Sequence, residues 1–302
     1  MAVRRSRRSK GRRRKGTRRQ KRQRGGALAD DKQCIFIIWP LGTGFGNQLY
    51  VYAAALTLKR AFNLPIYALP DTNGHNTTDY RPLFKECIPI DMDPALQGRI
   101  DAASQPFKDT ELFTKWSVPP ATDKDICIRD KYLQNHASIM PVISDIRGPI
   151  MEELAKKYAD VKVDSDSSCF LHVRRGDYVD IAGAALSSPY YQKGLDMLKD
   201  VAAIKTVYIV CEPSGKQWCI DQGFKTEKEV EWIDTPDELR AFYIMSLCKG
   251  GAILSRSTFS VWGAEFGADE NPDSVIIYPS KWVESRDASN AMLPERWRMT
   301  EE

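Results

Sequence analysis

Short apolar runs alternate with glycine-rich and polar stretches along this chain. Residues 34–38 form a run rich in β-branched side chains, which is typical of a buried strand. The glycine-rich stretch 41–48 reads as a loop. Residues 49–62 are apolar on most faces, which indicates a helix packed inside a domain. Between residues 70 and 124 the periodicity is weak, and no element is predicted there.

A second series of strands and helices begins after residue 165. Its predicted strands are apolar runs of strand length bounded by turn residues. They lie at 169–173, 207–210, 252–254 and 275–278. Thr235, Pro236 and Glu238 predict the cap, first turn and capping box of a helix, and Gly250 predicts its end. Two α/β halves joined near 150–165 predict two Rossmann-like domains with parallel sheets facing each other across a cleft.

The net charge of +4 over 302 residues averages two unlike parts. The stretch 1–26 holds 14 of the 44 Lys and Arg and none of the 40 Asp and Glu, so the rest carries 30 basic and 40 acidic groups, a net of −10. Such a tail cannot form a core, and we expect it to be disordered. Its charge is compatible with binding to an anionic partner, such as a nucleic acid or a membrane or particle surface. It is equally compatible with an extension that only keeps the protein soluble.

The cysteines and histidines bear on the cellular compartment of the protein and on metal binding. The seven Cys lie mostly in apolar runs, without paired spacing, which favours reduced, buried thiols in a cytosolic protein. The three His have no Cys or His partner at ligand spacing, so no structural zinc site is expected. No secretory h-region follows the basic start, and no apolar run is long enough for a membrane span. We expect a cytoplasmic protein, with nuclear or particle association possible through the tail.

Three stretches are candidates for chemistry. Glycines at 42, 44 and 46 either let backbone amides approach an anion or form a tight turn that needs positive φ. Arg174 and Arg175 follow a predicted strand, where ligands bind in α/β sheets, and guanidinium groups match phosphate oxygens. The alternative is a structural salt bridge from Arg175 to Asp177. A His at a strand end is more often structural than catalytic, so His172 is given a supporting role.

The third stretch, 255–260, joins a predicted strand to a helix. Amide and hydroxyl donors there can form an anion site, and a simple helix cap by Ser257 or Thr258 is a compatible reading. Three D-x-D pairs match the pattern by which many metal-dependent transferases hold Mg²⁺ or Mn²⁺. They lie at 91–93, 123–125 and 164–166. Three matches are close to chance in an acidic body, and none clearly follows a strand.

Together these segments resemble the α1,2-fucosyltransferases, an inverting family of the glycosyltransferase family 11 type. The resemblance covers most of residues 33–297. It is carried by the glycine-rich opening at 44–48 with Tyr52, by the motif at 172–178, and by the serine-rich block at 254–264, in which Val261 replaces an aromatic residue. Weaker echoes lie at 130–134, 278–282 and 293–297.

The resemblance implies a GT-B-like fold and a division into three regions. A basic tail occupies 1–31, an N-terminal glycine-rich-loop and acceptor domain 32–160, and a C-terminal nucleotide-sugar-binding domain 161–302. The implied reaction transfers L-fucose from GDP-fucose, with inversion and without metal or other cofactor, to a hydroxyl of a galactose-containing glycan. Transfer to another linkage (α1,6 or protein O-type) is the enzymatic alternative. A nucleic-acid- or particle-binding protein and a sugar-binding domain without turnover are the others.

The resemblance also assigns expected roles to residues. Arg174 would contact the donor diphosphate with Arg175 close by, and Asn47 would face the reacting centre. Asp177 is the candidate base, although a structural bond to Arg175 is equally compatible. Glu212 stands where relatives place an Asp for the guanosine. The remaining expected donor-site residues are Gly44, Gly46, Gln48, His172, Ser257, Thr258 and Phe259.

Overall fold

The computed structural model describes most of the chain after the basic tail. The described residues are 32–39, 43–70, 78–107, 118–129, 132–283, 286–287, 293–294 and 296–301. The predicted tail region 1–31 and Gly42 lie outside these residues. None of the helices in the described ranges combines the length and apolarity needed to cross a membrane.

A four-stranded parallel sheet forms the N-terminal half, in the order β3-β2-β1-β4. Its strands are β1 (Ile35–Ile38), β2 (Ile66–Ala68), β3 (Cys87–Pro89) and β4 (Ile126–Arg129). The prediction of a strand at 34–38 is confirmed. Strands β1 and β2 are almost wholly apolar because both faces of a parallel sheet are covered.

A six-stranded parallel sheet forms the C-terminal half, in the order β12-β9-β8-β5-β6-β7. Its strands are β5 (Ser168–Val173), β6 (Thr206–Cys211), β7 (Glu229–Ile233), β8 (Gly251–Ile253), β9 (Val275–Pro279) and β12 (Arg298–Thr300). β10 (Lys281–Val283) and β11 (Arg286–Asp287) form a small antiparallel pair. All four strands predicted in this half are present, displaced by at most one residue at either end.

Helices connect the strands of both sheets. They are α1 (Phe45–Phe62), α2 (Pro94–Ala102), α3 (His136–Ile139), α4 (Ile143–Lys157), α5 (Ser188–Leu198), α6 (Lys216–Gln222), α7 (Glu238–Leu247) and α8 (Thr258–Phe266). The two sheets fall on either side of residue 160, although the domain boundaries themselves stay predictions. All seven Cys are buried, and none of them forms a disulfide bond.

Helix α1 begins four residues earlier than predicted. The stretch 45–48, predicted as part of a loop, forms its first turn, with Gly44 as the extended N-cap residue at φ −71°. The predicted end at Phe62 is confirmed, and Asn63 follows in the left-handed region at φ 54°. Twelve of the 18 residues of α1 are buried, as expected for a helix inside a domain.

Helix α7 differs from its prediction at both ends. Asp237 caps it by accepting the Arg240 N–H, whereas the Thr235 hydroxyl accepts the Asp237 N–H just before the helix. An ionised carboxylate is a stronger acceptor at a helix start than a hydroxyl, which explains the choice. The helix ends at Leu247 because Cys248 is already extended, before Gly250 is reached.

The two halves share one hydrophobic core, which runs from β1 and α1 through α7 and α8. Tyr50 of α1 meets Trp262 of α8 edge-on with ring centroids 5.0 Å apart, and Phe45 meets Phe242 of α7 in the same way at 5.0 Å. Helices α1 and α8 are therefore packed directly against each other, and their amino-terminal ends stand side by side.

Candidate functional site

A cleft of about 630 Å³ opens where several strands of the C-terminal sheet end. Residues that follow β5, β6, β7 and β8 line it together with the start of α1. The lining consists of Gly44, Phe45, Gly46, Asn47, His172, Arg174, Asp177, Tyr178, Val210, Cys211, Glu212, Pro213, Thr235, Pro236, Glu238, Ala241, Ser257, Thr258 and Phe259. This is the edge at which ligands bind in open α/β sheets.

The start of α1 lies at the cleft, which Gly44, Phe45, Gly46 and Asn47 line. Within the described residues, no side chain caps this end, and the first turn holds no acidic group. The macrodipole of a long helix places partial positive charge here, so the end attracts an anion. The predicted anion-binding role of the glycine-rich stretch is therefore compatible with where Gly44 and Gly46 lie.

Gly46 is required by helix packing. A Cβ on Gly46 would stand 2.6 Å from the main-chain nitrogen of Phe259 and 2.6 Å from the carbonyl carbon of Thr258, closer than real Cβ atoms come. A Cβ on Gly44 would meet nothing within 4 Å. Neither glycine has positive φ, so the tight-turn explanation is wrong for both. Gly46 instead lets the starts of α1 and α8 touch.

The start of α8 lies beside the start of α1 and forms the cleft wall together with it. Ser257 is its N-cap, and the Ser257 Oγ accepts the Phe259 N–H at 3.3 Å, which confirms one of the two predicted caps. Thr258 and Phe259 form the first turn and also line the cleft. Two helix starts therefore direct their partial positive charge into one cleft.

Arg174 adds a full positive charge to the same cleft. Its Nη2 donates to Asp177 Oδ1 at 2.7 Å, and its guanidinium carbon lies 5.3 Å from the centre of the Tyr178 ring. The predicted alternative of a salt bridge from Arg175 to Asp177 is wrong, because Asp177 pairs with Arg174. With 38% of its side chain accessible, Arg174 is available to a ligand.

Arg175 is not among the residues that line the cleft. Its guanidinium lies 4.2 Å from the centre of the Trp218 ring, and its main-chain N–H donates to Glu212 Oε1 at 2.7 Å. The expectation that Arg175 lies beside Arg174 at the diphosphate is not met in this arrangement. Glu212 does line the cleft, and its Oε1 accepts the Arg175 N–H in the turn after β5. A contact between Glu212 and a nucleoside stays a prediction.

His172 lies beneath the cleft as a neutral group. Its Nδ1 is 2.7 Å from Ser255 Oγ, and the residue is almost completely buried. Burial, reinforced by the nearby Arg174 charge, lowers the pKa of His172 to about 3. The imidazole is uncharged across the physiological range, which fits a supporting role between β5 and the turn after β8.

Asn47 joins the two halves at the edge of the cleft. Asn47 Oδ1 accepts hydrogen bonds from Gln134 Nε2 and from Thr258 Oγ1, both at 2.8 Å. Gln48, expected at the donor site, is not in the lining: it is buried, and its Nε2 donates to the Thr43 carbonyl at 3.2 Å. The next residue in a helix points about 100° away, which separates Gln48 from Asn47.

The remaining lining residues were not predicted as site residues. Phe45 and Tyr178 adjoin predicted residues, so their neighbours were the available signal. The segment 235–238 was interpreted only as a helix start, although any helix start that follows a strand at this edge is a candidate ligand contact. Gln134 does not line the cleft but donates to Asn47. The sequence indicated it only as the last residue of 130–134, a segment that weakly resembles the family.

The D-x-D pairs have structural partners. Asp93 caps α2 by accepting the Leu96 N–H, and Asp164 Oδ2 accepts the Ser167 hydroxyl. Asp125 pairs with Arg99 at 2.9 Å, and hydrogen bonds from Arg99 help to lower the pKa of Asp125 against the opposing effect of burial. None of the three lines the cleft, and no group of three potential metal ligands occurs among the described side chains.

Two α/β halves with parallel sheets and a cleft at their strand ends are a fold of the GT-B type. A structure of POFUT1 in complex with GDP-fucose has the same fold, with a TM-score of 0.50 and 11% identity over 83% of this chain and 99% of that chain. The fucosyltransferase NodZ from Bradyrhizobium aligns with a TM-score of 0.46 and 14% identity over 77% and 93% of the two chains.

The chain belongs to glycosyl transferase family 11, whose family model matches residues 127–300. A curated relative, the O-antigen biosynthesis glycosyltransferase WbnK of Escherichia coli, is 26% identical over 144 residues, which are 45% of this chain and 46% of that protein. This chain thus matches about half the length of that relative. The expected family is confirmed.

Proposed function

We propose that this protein transfers L-fucose from GDP-fucose, with inversion, to a hydroxyl of a galactose-containing glycan, forming an α1,2 linkage. One observation carries the proposal: Arg174 and the starts of α1 and α8 converge on one cleft. A diphosphate is the anion that such a set of donors suits, because helix amides and a guanidinium complement its oxygens.

The reaction is an in-line displacement at the anomeric carbon. The acceptor oxygen forms its bond from the face opposite GDP, while the bond between the anomeric carbon and the β-phosphate oxygen breaks and its electron pair leaves with GDP. The proton of the attacking hydroxyl passes to the Asp177 carboxylate. Arg174 and the turn 257–259 at the start of α8 stabilise the charge that develops on the departing diphosphate.

The choice of sugar and linkage rests on the resemblance of the segments 44–48, 172–178 and 254–264 to α1,2-fucosyltransferases. That POFUT1 was solved with GDP-fucose supports a GDP-linked donor in this fold. An α1,6 or protein O-type linkage is the alternative, and linkage analysis of the product formed on a galactoside separates it from α1,2.

The test compares the two adjacent arginines. Arg174→Ala is expected to lower kcat with GDP-fucose about 10²–10³-fold, the usual effect of removing one donor to a developing negative charge. Arg175→Ala is the matched control, since it removes the same charge from the next residue but outside the cleft lining, and its kcat is expected within about tenfold of wild type. Initial rates of GDP release and the unfolding midpoint are measured for both.

Wild-type turnover by Arg174→Ala would remove the assignment of the diphosphate to this cleft. An equal loss in both variants at unchanged stability would mean that the second guanidinium also reaches the donor, contrary to its place on Trp218.

A further inference from the structure

A chain of three hydrogen-bonded side chains connects the segment after β4 to the starts of both helices. Gln134 donates to Asn47 of α1, and Thr258 of α8 donates to the same oxygen. We propose that Gln134 is a positioning residue, which fixes the Asn47 carboxamide so that its NH₂ group donates to a phosphate oxygen of the donor. This inference rests on the proposed function.

The orientation of the Asn47 carboxamide follows from its hydrogen-bond network. Asn47 Oδ1 accepts both hydrogen bonds, from Gln134 Nε2 and Thr258 Oγ1, so both lone pairs of that oxygen are engaged. The carbonyl side of the amide is thus directed at the protein, and the NH₂ group is left to the cleft, which Asn47 lines. The cleft wall at this point is formed by Gly46, Thr258 and Phe259.

A hydrogen-bond donor at this position of the cleft wall has a defined target. The starts of α1 and α8 attract the diphosphate, and an amide NH₂ beside them adds a charge-assisted hydrogen bond to one of its oxygens. If the carboxamide were flipped, with its oxygen and nitrogen exchanged, the oxygen would face the same phosphate and repel it. Asn47 therefore attracts the donor only when its nitrogen faces the cleft, and its hydrogen-bond partners determine that orientation.

Gln134 is held rigidly for this task. It is 5% exposed, and the preceding Leu133 has φ 52°, a left-handed conformation that is rare for a residue with a side chain. Backbone strain of this kind persists only where the surrounding structure enforces it, and it clusters at functional sites. The unusual turn after β4 directs Gln134 inward at Asn47.

The other polar atom of Gln134 shows that this residue is not optimised for stability alone. Gln134 Oε1 is buried and has no hydrogen-bond partner among the described residues. A buried polar atom without a partner destabilises a fold, and an apolar side chain of the same length would avoid that cost. A positioning role for the Nε2 group accounts for an amide at this place.

A double-mutant cycle tests the inference with GDP affinity as the readout. Gln134→Met keeps the length of the side chain and adds no charge, but it removes the hydrogen bond to Asn47. Loss of a hydrogen bond to a charged group corresponds to a change of about 10- to 100-fold, so Asn47→Ala is expected to raise the Kd for GDP by about that factor. Gln134→Met removes only the neutral hydrogen bond that orients Asn47 and is expected to raise the Kd by about 2- to 10-fold. The double variant is expected to bind GDP as Asn47→Ala does.

A control variant on the same segment separates positioning from general structure. His136 also links this segment to α8, through Glu265, at 3.1 Å between Nε2 and Oε1, but none of the described contacts connects it to Asn47. His136→Gln is expected to lower the unfolding midpoint while leaving the Kd for GDP within about twofold of wild type, since the cleft is unchanged. All Kd values are measured by calorimetry at a temperature where every variant is folded.

Three results would overturn the inference. The first is unchanged GDP affinity in Gln134→Met, and the second is a further loss when Gln134→Met is added to Asn47→Ala, which would show independent effects. The third is an equal loss of GDP affinity in His136→Gln. A wild-type protein that binds GDP but transfers no fucose would contradict only the proposed reaction, and one that does not bind GDP would contradict both proposals.

Discussion

Arg174 shows how one residue can be both available and fixed. The Asp177 carboxylate and the Tyr178 ring hold its guanidinium from two sides, while more than a third of the side chain stays accessible. A preorganised cation needs little reorganisation when charge develops, which is the usual source of electrostatic catalysis. Because an arginine keeps its charge at any relevant pH, this contribution is constant.

This arrangement leads to a prediction about metal dependence. If Arg174 and the helix starts supply the positive charge that Mg²⁺ or Mn²⁺ supplies in other transferases, transfer from GDP-fucose is expected to keep its rate in excess EDTA. The measurement is the initial rate after chelation and dialysis, with and without added Mn²⁺. Activity abolished by EDTA and restored by Mn²⁺ would show that a metal carries the diphosphate charge.

The residue pattern located the arginine pair, and only the resemblance to the family placed Arg174 rather than Arg175 at the diphosphate. Successive residues at the end of a strand point to opposite sides, so one of Arg174 and Arg175 had to leave the cleft. Trp218, the aromatic partner of Arg175, comes from α6, which follows the neighbouring strand β6 rather than β5. Only the packing of α6 on the sheet decides which guanidinium faces the ligand, and no local pattern encodes that packing.

Among the predicted elements, helix α1 differs most from its prediction, because it begins at Phe45 rather than at residue 49. Glycine and asparagine are weak helix formers, so the stretch 44–48 reads as a loop. Tertiary contact overrides that preference, because Gly46 has to lie on the main chain of α8 and Asn47 has to reach Gln134 and Thr258. The four predicted strands of the C-terminal sheet are continuous apolar runs buried on both faces, which makes them readable from the sequence. The edge strands β7 and β12 carry polar, partly exposed residues and give no such signal.

The contact between α1 and α8 predicts opposite outcomes for two neighbouring glycines. Gly46→Ala improves helix propensity by about 1 kcal/mol, yet its Cβ would collide with main-chain atoms that cannot move away locally. Overpacking of this kind costs about 1–3 kcal/mol, so a net loss of stability and weaker GDP binding are expected. Urea unfolding and calorimetry measure the two effects.

Gly44→Ala serves as the matched control. Its Cβ would meet nothing within 4 Å and φ at this residue is −71°, so only the weaker N-cap preference of alanine is expected to lower the free energy of unfolding, by about 0.5–1 kcal/mol. A Gly46→Ala protein as stable as Gly44→Ala would show that the two helices can separate slightly, contrary to the close contact in the structure.

The segment between β2 and β4 gave the least to prediction. Strand β3 has three residues, and α2 begins at Pro94 after the Asp93 cap. A three-residue strand is too short to show a period of two, and α2 buries only Leu96 and Ile100, so its amphipathic pattern is faint. The cap and the proline after it were the readable signal for α2.

In the molecule as a whole, charge is distributed very unevenly along the chain. The stretch 1–26 is strongly basic and the remainder has a net negative charge, while the cleft is formed by other residues, from Gly44 to Thr258 and Phe259. The proposed donor site and any attraction of the basic stretch to polyanions therefore involve separate stretches of the sequence.

Deletion of residues 1–26 tests this separation. The truncated protein is expected to keep the kcat and KM of the full chain with GDP-fucose, while retention on heparin or a nucleic-acid column falls and loses its salt dependence. A truncated protein that loses transferase activity together with polyanion binding would show that the basic residues take part in catalysis.

The contact at Gly46 also fixes the spacing of the two helix starts. A Cβ on Gly46 would reach the main chain of α8, so at this position no side chain can separate α1 from α8. The positive ends of the two helix dipoles therefore lie side by side at one edge of the cleft. The attraction of this edge for an anion thus depends on the packing between the two halves of the molecule, and a variant that separates α1 from α8 is expected to weaken it.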